Sequence, residues 1–187
     1  MHRTIVIAFT TLDGVVEDPD GTDGTPNGGW LFRYGPEAVA GDQFRLGGLF
    51  DTGTLLLGAR TWRHFAQLWP TRTDEFAANM NRVPKLVATK SITDLSAWAN
   101  SSAMTGDLEE AVAQHKTDRD VMIMGSTSLV HTLAAQDLVD EYRIMQFPEL
   151  AGPGTRLFGA GTVAGRFSLV TSEMAGPNVY MRYVRAA

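Results

Sequence analysis

Apolar positions along the chain alternate between short unbroken runs and longer stretches with helical spacing, the pattern of strands covered on both faces by intervening helices. Runs at residues 4–10, 54–57, 84–88, 121–124 and 142–147, rich in Val, Ile, Leu, Met and Phe, predict strands. Helices are predicted over residues 37–50, with Val39, Phe44, Leu46, Leu49 and Phe50 apolar, and over 65–80 with a break at Trp69-Pro70. A third helix, 107–116, has Asp107 placed to cap it, Glu110 three residues on, and Leu108, Ala111 and Val112 on one face. Two final runs, 166–174 and 178–184, flank Gly176-Pro177-Asn178 and predict an antiparallel hairpin. The order is that of an α/β sheet closed by a hairpin.

The centre of this pattern is the stretch 120–133. Val121 to Met124 is a buried-strand run, Gly125 permits a sharp turn, and Ser126, Thr127 and Ser128 suit a helix start before Leu129, Val130 and Leu133. A helix N-terminus at a strand's carboxyl end holds anions in many open α/β sheets, although an ordinary strand-to-helix turn has the same local signature. Gly58-Ala59-Arg60-Thr61-Trp62 repeats the arrangement with a guanidinium, and Thr89-Lys90-Ser91 puts two hydroxyls around a cation at a third strand end. Three such places in one β-α-β order point to a dinucleotide. The interruption is the segment 15–36, full of Asp-Gly, Asn-Gly and Gly-Pro turns but ending in Trp30, Leu31, Phe32 and Tyr34. It reads either as a binding loop or lid, or as an insertion anchored by its aromatics.

Composition narrows the chemistry. With 187 residues, 44% hydrophobic and 20% charged, the chain suits a single domain over residues 1–187. A formal charge of −5 disfavours nucleic acid or an anionic membrane as partner. The absence of cysteine excludes disulfides and thiolate sites, and the four histidines lack metal-ligand spacing, so no metal is expected. The apolar run at residues 5–9 is too short for a signal core or membrane span, so the expected compartment is cytoplasmic. Neither the Gly-x-Gly-x-x-Gly fingerprint nor a Walker-type loop occurs, which disfavours the usual dehydrogenase and ATPase folds.

In their order, Thr11-Leu12-Asp13-Gly14, Leu57-Gly58-Ala59-Arg60-Thr61-Trp62, Thr89-Lys90-Ser91, Gly125-Ser126-Thr127-Ser128-Leu129, Leu138-Val139-Asp140-Glu141-Tyr142 and Gly152-Pro153-Gly154-Thr155-Arg156-Leu157-Phe158 resemble the motifs of the dihydrofolate reductase-like superfamily. Within it, the chain is most similar to the reductase domain of bacterial riboflavin biosynthesis and its small stand-alone relatives. The resemblance spans nearly the whole chain. It implies a three-layer α/β/α fold with a mostly parallel sheet and a C-terminal antiparallel hairpin, NADPH bound across the sheet's carboxyl edge, and a homodimer.

By the same resemblance Gly58, Arg60 and Thr61 contact cofactor phosphates, and Thr89, Lys90 and Ser91 take the adenosine ribose and its 2′-phosphate. Met124, Gly125, Ser126, Thr127 and Leu129 lie at the pyrophosphate and nicotinamide. Asp13, Gly14 and Trp30 face the substrate beneath the long loop. Asp42 falls where dihydrofolate reductases carry the acid that holds the pterin, which makes it the candidate catalytic residue; otherwise it is a solvent-facing aspartate in a helix. Two departures stand out. Ala59 displaces the arginine to Arg60, and the glycine pair of many relatives is Gly125-Ser126, where a cis peptide would cost about 3 kcal/mol. The loop also lacks the Asn-x-Leu-Pro-Trp pattern of true dihydrofolate reductases. The implied activity is hydride transfer from NADPH to a pterin- or pyrimidine-like heterocycle; the alternative is a nucleotide-binding or sensing module without turnover.

Overall fold

A computed structural model describes residues 2–186, which build one eight-stranded sheet in the order β4-β3-β2-β5-β1-β6-β8-β7. In chain order the elements are β1 (Thr4–Thr11), α1 (Leu49–Thr52), β2 (Gly53–Gly58), α2 (Ala59–Leu68), α3 (Glu75–Arg82), β3 (Lys85–Ala88), β4 (Ser101–Ala103), α4 (Leu108–His115), β5 (Asp120–Met124), α5 (Thr127–Ala135), β6 (Glu141–Phe147), β7 (Phe167–Ala175) and β8 (Asn178–Arg185). The six strands from β4 to β6 run parallel, so the carboxyl ends of β1, β2, β3, β5 and β6 share one edge. The β7–β8 hairpin closes the sheet antiparallel on β6. Ala175 pairs with Asn178 across Gly176-Pro177, and Gly176 at φ 62° supplies the positive φ that the first position of such a two-residue turn needs.

Alternation within the strands divides the core into two layers. Ile5, Ile7, Leu55, Leu57 and Met122 face one side, packed under Trp62 of α2, Met80 of α3 and the segment from Trp30 to Phe50. Val6, Leu56, Val121 and Ile123 face the other, under Ala111 and Val112 of α4 and Val130 and Leu133 of α5. Each fully buried aliphatic side chain contributes about 2 kcal/mol, and because both faces are covered the strands read as continuous apolar runs.

One expectation is corrected. The helix over 37–50 is absent: a single 3-10 turn at Pro36–Val39 ends in extended Ala40, and only Leu49–Thr52 is helical. Between them Gly41, Arg45 and Gly47 have φ of 71°, 54° and 43°, conformations that no helix admits. The carboxylate of Asp42 accepts hydrogen bonds from the backbone N–H of Leu46 and of Gly47, both at 2.8 Å, and this local bonding replaces the helical ladder. Strand β4 was not predicted, since Ser-Ser-Ala has neither β-branching nor alternation. Among the described residues every peptide bond is trans, including that between Gly125 and Ser126.

The amino end of β6 holds a buried ion cluster. Glu141 is fully buried, and its carboxylate accepts from Arg143 Nε at 2.7 Å, from Arg182 Nε and Nη2 at 2.8 and 2.9 Å, and from Arg3. Arg143 also donates to the carbonyls of Phe44 and Arg45, fastening the irregular segment to the sheet.

Candidate functional site

At the shared carboxyl edge, β2 and β5 each turn directly into a helix, and their ends are joined by a short hydroxyl network. Ser126 does not cap α5; its Oγ accepts from the backbone N–H of Gly58 at 2.9 Å and donates to Thr61 Oγ1 at 3.0 Å. Thr61 Oγ1 in turn donates to the carbonyl of Gly125 at 3.2 Å. Gly125 sits at φ 70° with its surface open, and a Cβ there would lie 3.1 Å from Thr61 Cγ2. The N-termini of α2 and α5 are thereby held side by side, each presenting first-turn N–H groups that no helical carbonyl can reach. Met124 and Leu129, also expected here, are half-buried and pack into opposite core layers.

Arg60 follows Ala59 at the start of α2 but does not face this surface. Its guanidinium meets Asp23 Oδ1 at 2.6 Å, with the charges of Asp18 and Glu17 adding to the attraction, so the expected phosphate ligand is paired with the long loop instead. One turn later His64 Nε2 meets Asp20 Oδ2 at 2.9 Å. The loop is shaped from within by buried Asp18, whose carboxylate accepts from the backbone N–H groups of Asp23 and Thr25 and from the Thr25 hydroxyl at 2.8–2.9 Å. Burial alone would raise the Asp18 pKa, and these hydrogen bonds lower it below the ordinary value. At the loop's far end Tyr34 donates to the Pro148 carbonyl and to Glu149, while Arg33 pairs with Glu149. The segment is thus moored to α2 on one side and to the connection after β6 on the other. A groove of about 450 Å³ lies between its tip and α2, lined by Thr22, Asp23, Arg63, His64, Gln67 and Leu68.

At the end of β3, Thr89 Oγ1 accepts from the backbone N–H groups of Ser91 and Ile92 at 3.1 and 3.0 Å. That turn leaves Lys90 and Ser91 exposed. Arg63 of α2, which the sequence analysis missed, donates to Ser91 Oγ at 3.4 Å.

The expected substrate residues are used differently. Asp13 Oδ1 accepts from the Thr11 hydroxyl at 2.5 Å, Oδ2 accepts from Gly152 N–H at 2.8 Å, and Ala151 N–H approaches Oδ1 at 3.2 Å. These donors, led by Thr11, lower its pKa to about 2, and the result is a strut between the end of β1 and the loop after β6. Gly14, at φ 81°, makes the turn beside it and its N–H donates to the Thr11 carbonyl. Trp30 is fully buried, with Nε1 donating to the Glu17 carbonyl and its ring edge-on to Phe147 at 5.4 Å, so it anchors the loop rather than facing open space. Asp42 lies in the irregular segment with both oxygens engaged by backbone N–H groups. Around Phe147, Phe9, Phe44 and Tyr34 form an aromatic group with Phe9 to Phe44 centroids 4.7 Å apart. Phe9 is only partly buried at the strand end; its place in an apolar run gave no sign of that.

Among the described residues no group of three or more His, Asp or Glu side chains converges as a metal site, and no helix is long and apolar enough to cross a membrane.

The family model for the RibD C-terminal domain matches residues 3–181. The uncharacterised protein YwjB of Bacillus subtilis is 25% identical over 187 residues, covering 99% of each chain. Among solved structures, a Shewanella sp. PV-4 protein provisionally assigned to riboflavin biosynthesis superposes with a TM-score of 0.74 at 22% identity over 99% of both chains. A pyrimidine reductase-like protein of Corynebacterium diphtheriae gives 0.63 at 15% identity, over 100% of this chain and 92% of that one. The Thermotoga maritima diaminohydroxyphosphoribosylaminopyrimidine deaminase/5-amino-6-(5-phosphoribosylamino)uracil reductase gives 0.61 at 14% identity, with 99% of this chain matching 57% of its length.

Proposed function

Because the chain belongs to the RibD C-terminal domain family, we propose that it is an NADPH-dependent reductase acting on a small pterin- or pyrimidine-like heterocycle. The observation that carries the reading is the joined pair of helix N-termini at Gly58 and Gly125, with the cations of Arg63 and Lys90 beside it. Anion-binding N–H groups, a glycine that allows close approach, and positive side chains are what a dinucleotide phosphate chain requires, so the residues fit the group. When bound, the nicotinamide would supply the hydride. The chain's own part is to orient: Gly125 and Thr127 border the place for the pyrophosphate, and partly buried Phe9 offers an aromatic surface to a flat substrate ring.

One observation favours the second reading, a nucleotide-binding module without turnover. Asp13 and Asp42, the carboxylates expected at the substrate, both have their oxygens committed to protein donors, and Asp13 at a pKa of about 2 carries no proton near neutral pH. Proton delivery in the reductase therefore falls to solvent. Parallel titrations with NADPH and NADH, read by tryptophan quenching and thermal shift, test the cofactor site. Consumption of NADPH with 5-amino-6-(5-phosphoribosylamino)uracil or dihydrofolate then separates the readings. Saturable NADPH binding with turnover is expected; binding without turnover on any such heterocycle would favour the module, and no binding would sink both.

The proposed assembly is a homodimer through the β7–β8 hairpin. Strand β7 is the outer edge, nine residues long, and Leu169, Val170 and Met174 are 53%, 53% and 75% exposed on it. A long apolar edge left open invites pairing, and a second copy is the partner always at hand. Light scattering after gel filtration should give twice the chain mass for the wild type. Leu169→Lys with Met174→Lys should shift it to the monomer mass, whereas a monomeric wild type would end this assignment.

A further inference from the structure

We propose that Arg63, not Arg60, is the arginine that sets a preference for a 2′-phosphorylated dinucleotide; this rests on the cofactor reading above. Ala59 and Arg63 are one helical turn apart on α2 and therefore share a face. Alanine at 59 puts only a methyl on that face, one turn before Arg63. Its guanidinium reaches across to the end of β3, where Nη2 donates to Ser91 Oγ at 3.4 Å. Arg60, the arginine adjacent in sequence to the strand end, is turned away and paired with Asp23.

The charges sort the same way. Among the described residues, Arg63 and Lys90 make no ion pair, whereas Arg60 is neutralised by the loop. Arg63 therefore brings one such cation to the Ser91 hydroxyl, and Lys90 precedes Ser91 on a turn already fixed by Thr89 Oγ1. Ser91 Oγ accepts from Arg63 and keeps its own O–H to donate. A phosphate monoester, with two negative charges and three acceptor oxygens, satisfies a guanidinium, an ammonium and a hydroxyl together. The neutral ribose diol of NADH offers one hydroxyl in its place. The groove between α2 and the loop borders Arg63 on its other side, so the side chain stands at the surface and its replacement leaves the core intact.

The test uses the full chain and dissociation constants rather than turnover. NADPH, NADH, adenosine 2′,5′-bisphosphate and adenosine 5′-diphosphate are titrated into wild type, Arg63→Gln and Arg60→Gln, with melting temperatures confirming that each variant is folded. Arg63→Gln should weaken NADPH and the 2′,5′-bisphosphate by about tenfold or more, the loss expected for one charge-assisted hydrogen bond, and leave NADH and the 5′-diphosphate within twofold. Arg60→Gln should keep the wild-type ratio of NADPH to NADH. An Arg63→Gln protein that retains the wild-type ratio overturns the assignment while leaving the cofactor reading intact. A wild type that binds neither dinucleotide overturns both.

Discussion

Replacing Glu141 by glutamine is expected to destabilise the fold by about 3–5 kcal/mol, a large part of the 5–15 kcal/mol that holds a typical domain together. The side chain is fully buried and is the one carboxylate shared by Arg3, Arg143 and Arg182. An isosteric amide keeps the volume but leaves Arg143, itself 8% exposed at the side chain, beside Arg182 and Arg3, with Asp120, 3.9 Å from Arg3, as the nearest remaining anion of the cluster. The consequence reaches beyond the cluster, because Arg143 also holds the carbonyls of Phe44 and Arg45 and with them the irregular segment that packs over one face of the sheet. The pH dependence has a definite sign. Burial would raise the Glu141 pKa, but the hydrogen bonds from Arg182 and Arg143 and the charges of Arg143 and Arg3 outweigh it and hold the carboxyl below its ordinary 4.5. Its contribution to stability is therefore complete above the ordinary range and is lost as pH falls through the lower folded value. Urea unfolding of wild type and variant should show the full gap near neutral pH and a narrowing gap in acid. A gap under about 1 kcal/mol at neutral pH would mean that water screens the cluster and that this burial is not what secures it.

Nothing in the hydrophobic pattern announces that cluster, and the reason shows where sequence reading succeeds and stops. Val6, Leu56 and Ile123 are legible because each belongs to a run whose every side chain is buried, whichever face it takes. Glu141 and Lys85 are polar residues at strand starts, where a pattern reader places solvent. Yet Lys85 is 1% exposed over the Trp98 ring, and its burial pushes its pKa down to about 7. Besides near partners at Asn81 and Arg143, the two rely on Ala99, Arg182 and Arg3, 14, 41 and 138 residues away, which only the assembled sheet brings together. The helix over 37–50 fails for the opposite reason: its apolar spacing is real, but Asp42, Gly41 and Gly47 carry a stronger local instruction than that spacing does. At the site, strand ends were legible and side-chain directions were not. Gly58, Thr61, Gly125 and Ser126 meet, whereas Arg60 and Trp30 lie at the expected positions and point to the loop and the core. Arg63 was missed because one residue on a helix surface carries no periodic signal; only its reach to Ser91 distinguishes it.

Gly125→Ala is expected to remove NADPH binding more completely than any single charge change. The residue sits at φ 70°, where an L side chain costs about 1–2 kcal/mol. The new methyl would lie 3.1 Å from Thr61 Cγ2, so either the turn or Thr61 must shift. Thr61 cannot shift alone. It receives a hydrogen bond from Ser126 and gives one to the Gly125 carbonyl, and Ser126 in turn accepts from Gly58 N–H. Moving it separates the two helix N-termini that the network holds together. In the proposed cofactor site, charge contacts at Arg63 and Lys90 would touch one end of the dinucleotide and be worth about tenfold each. The turn at Gly125 would set the position of its middle, so its disruption is expected to cost a hundredfold or more in affinity, on the order of 3 kcal/mol. Thr61→Ser, which removes the crowding methyl and keeps the hydroxyl, should restore part of that affinity in the Gly125→Ala background, because it relieves the contact but not the strain at φ 70°. A Gly125→Ala protein that melts a few degrees lower yet binds NADPH with wild-type affinity would place the cofactor elsewhere and reduce Gly125 to an ordinary turn glycine.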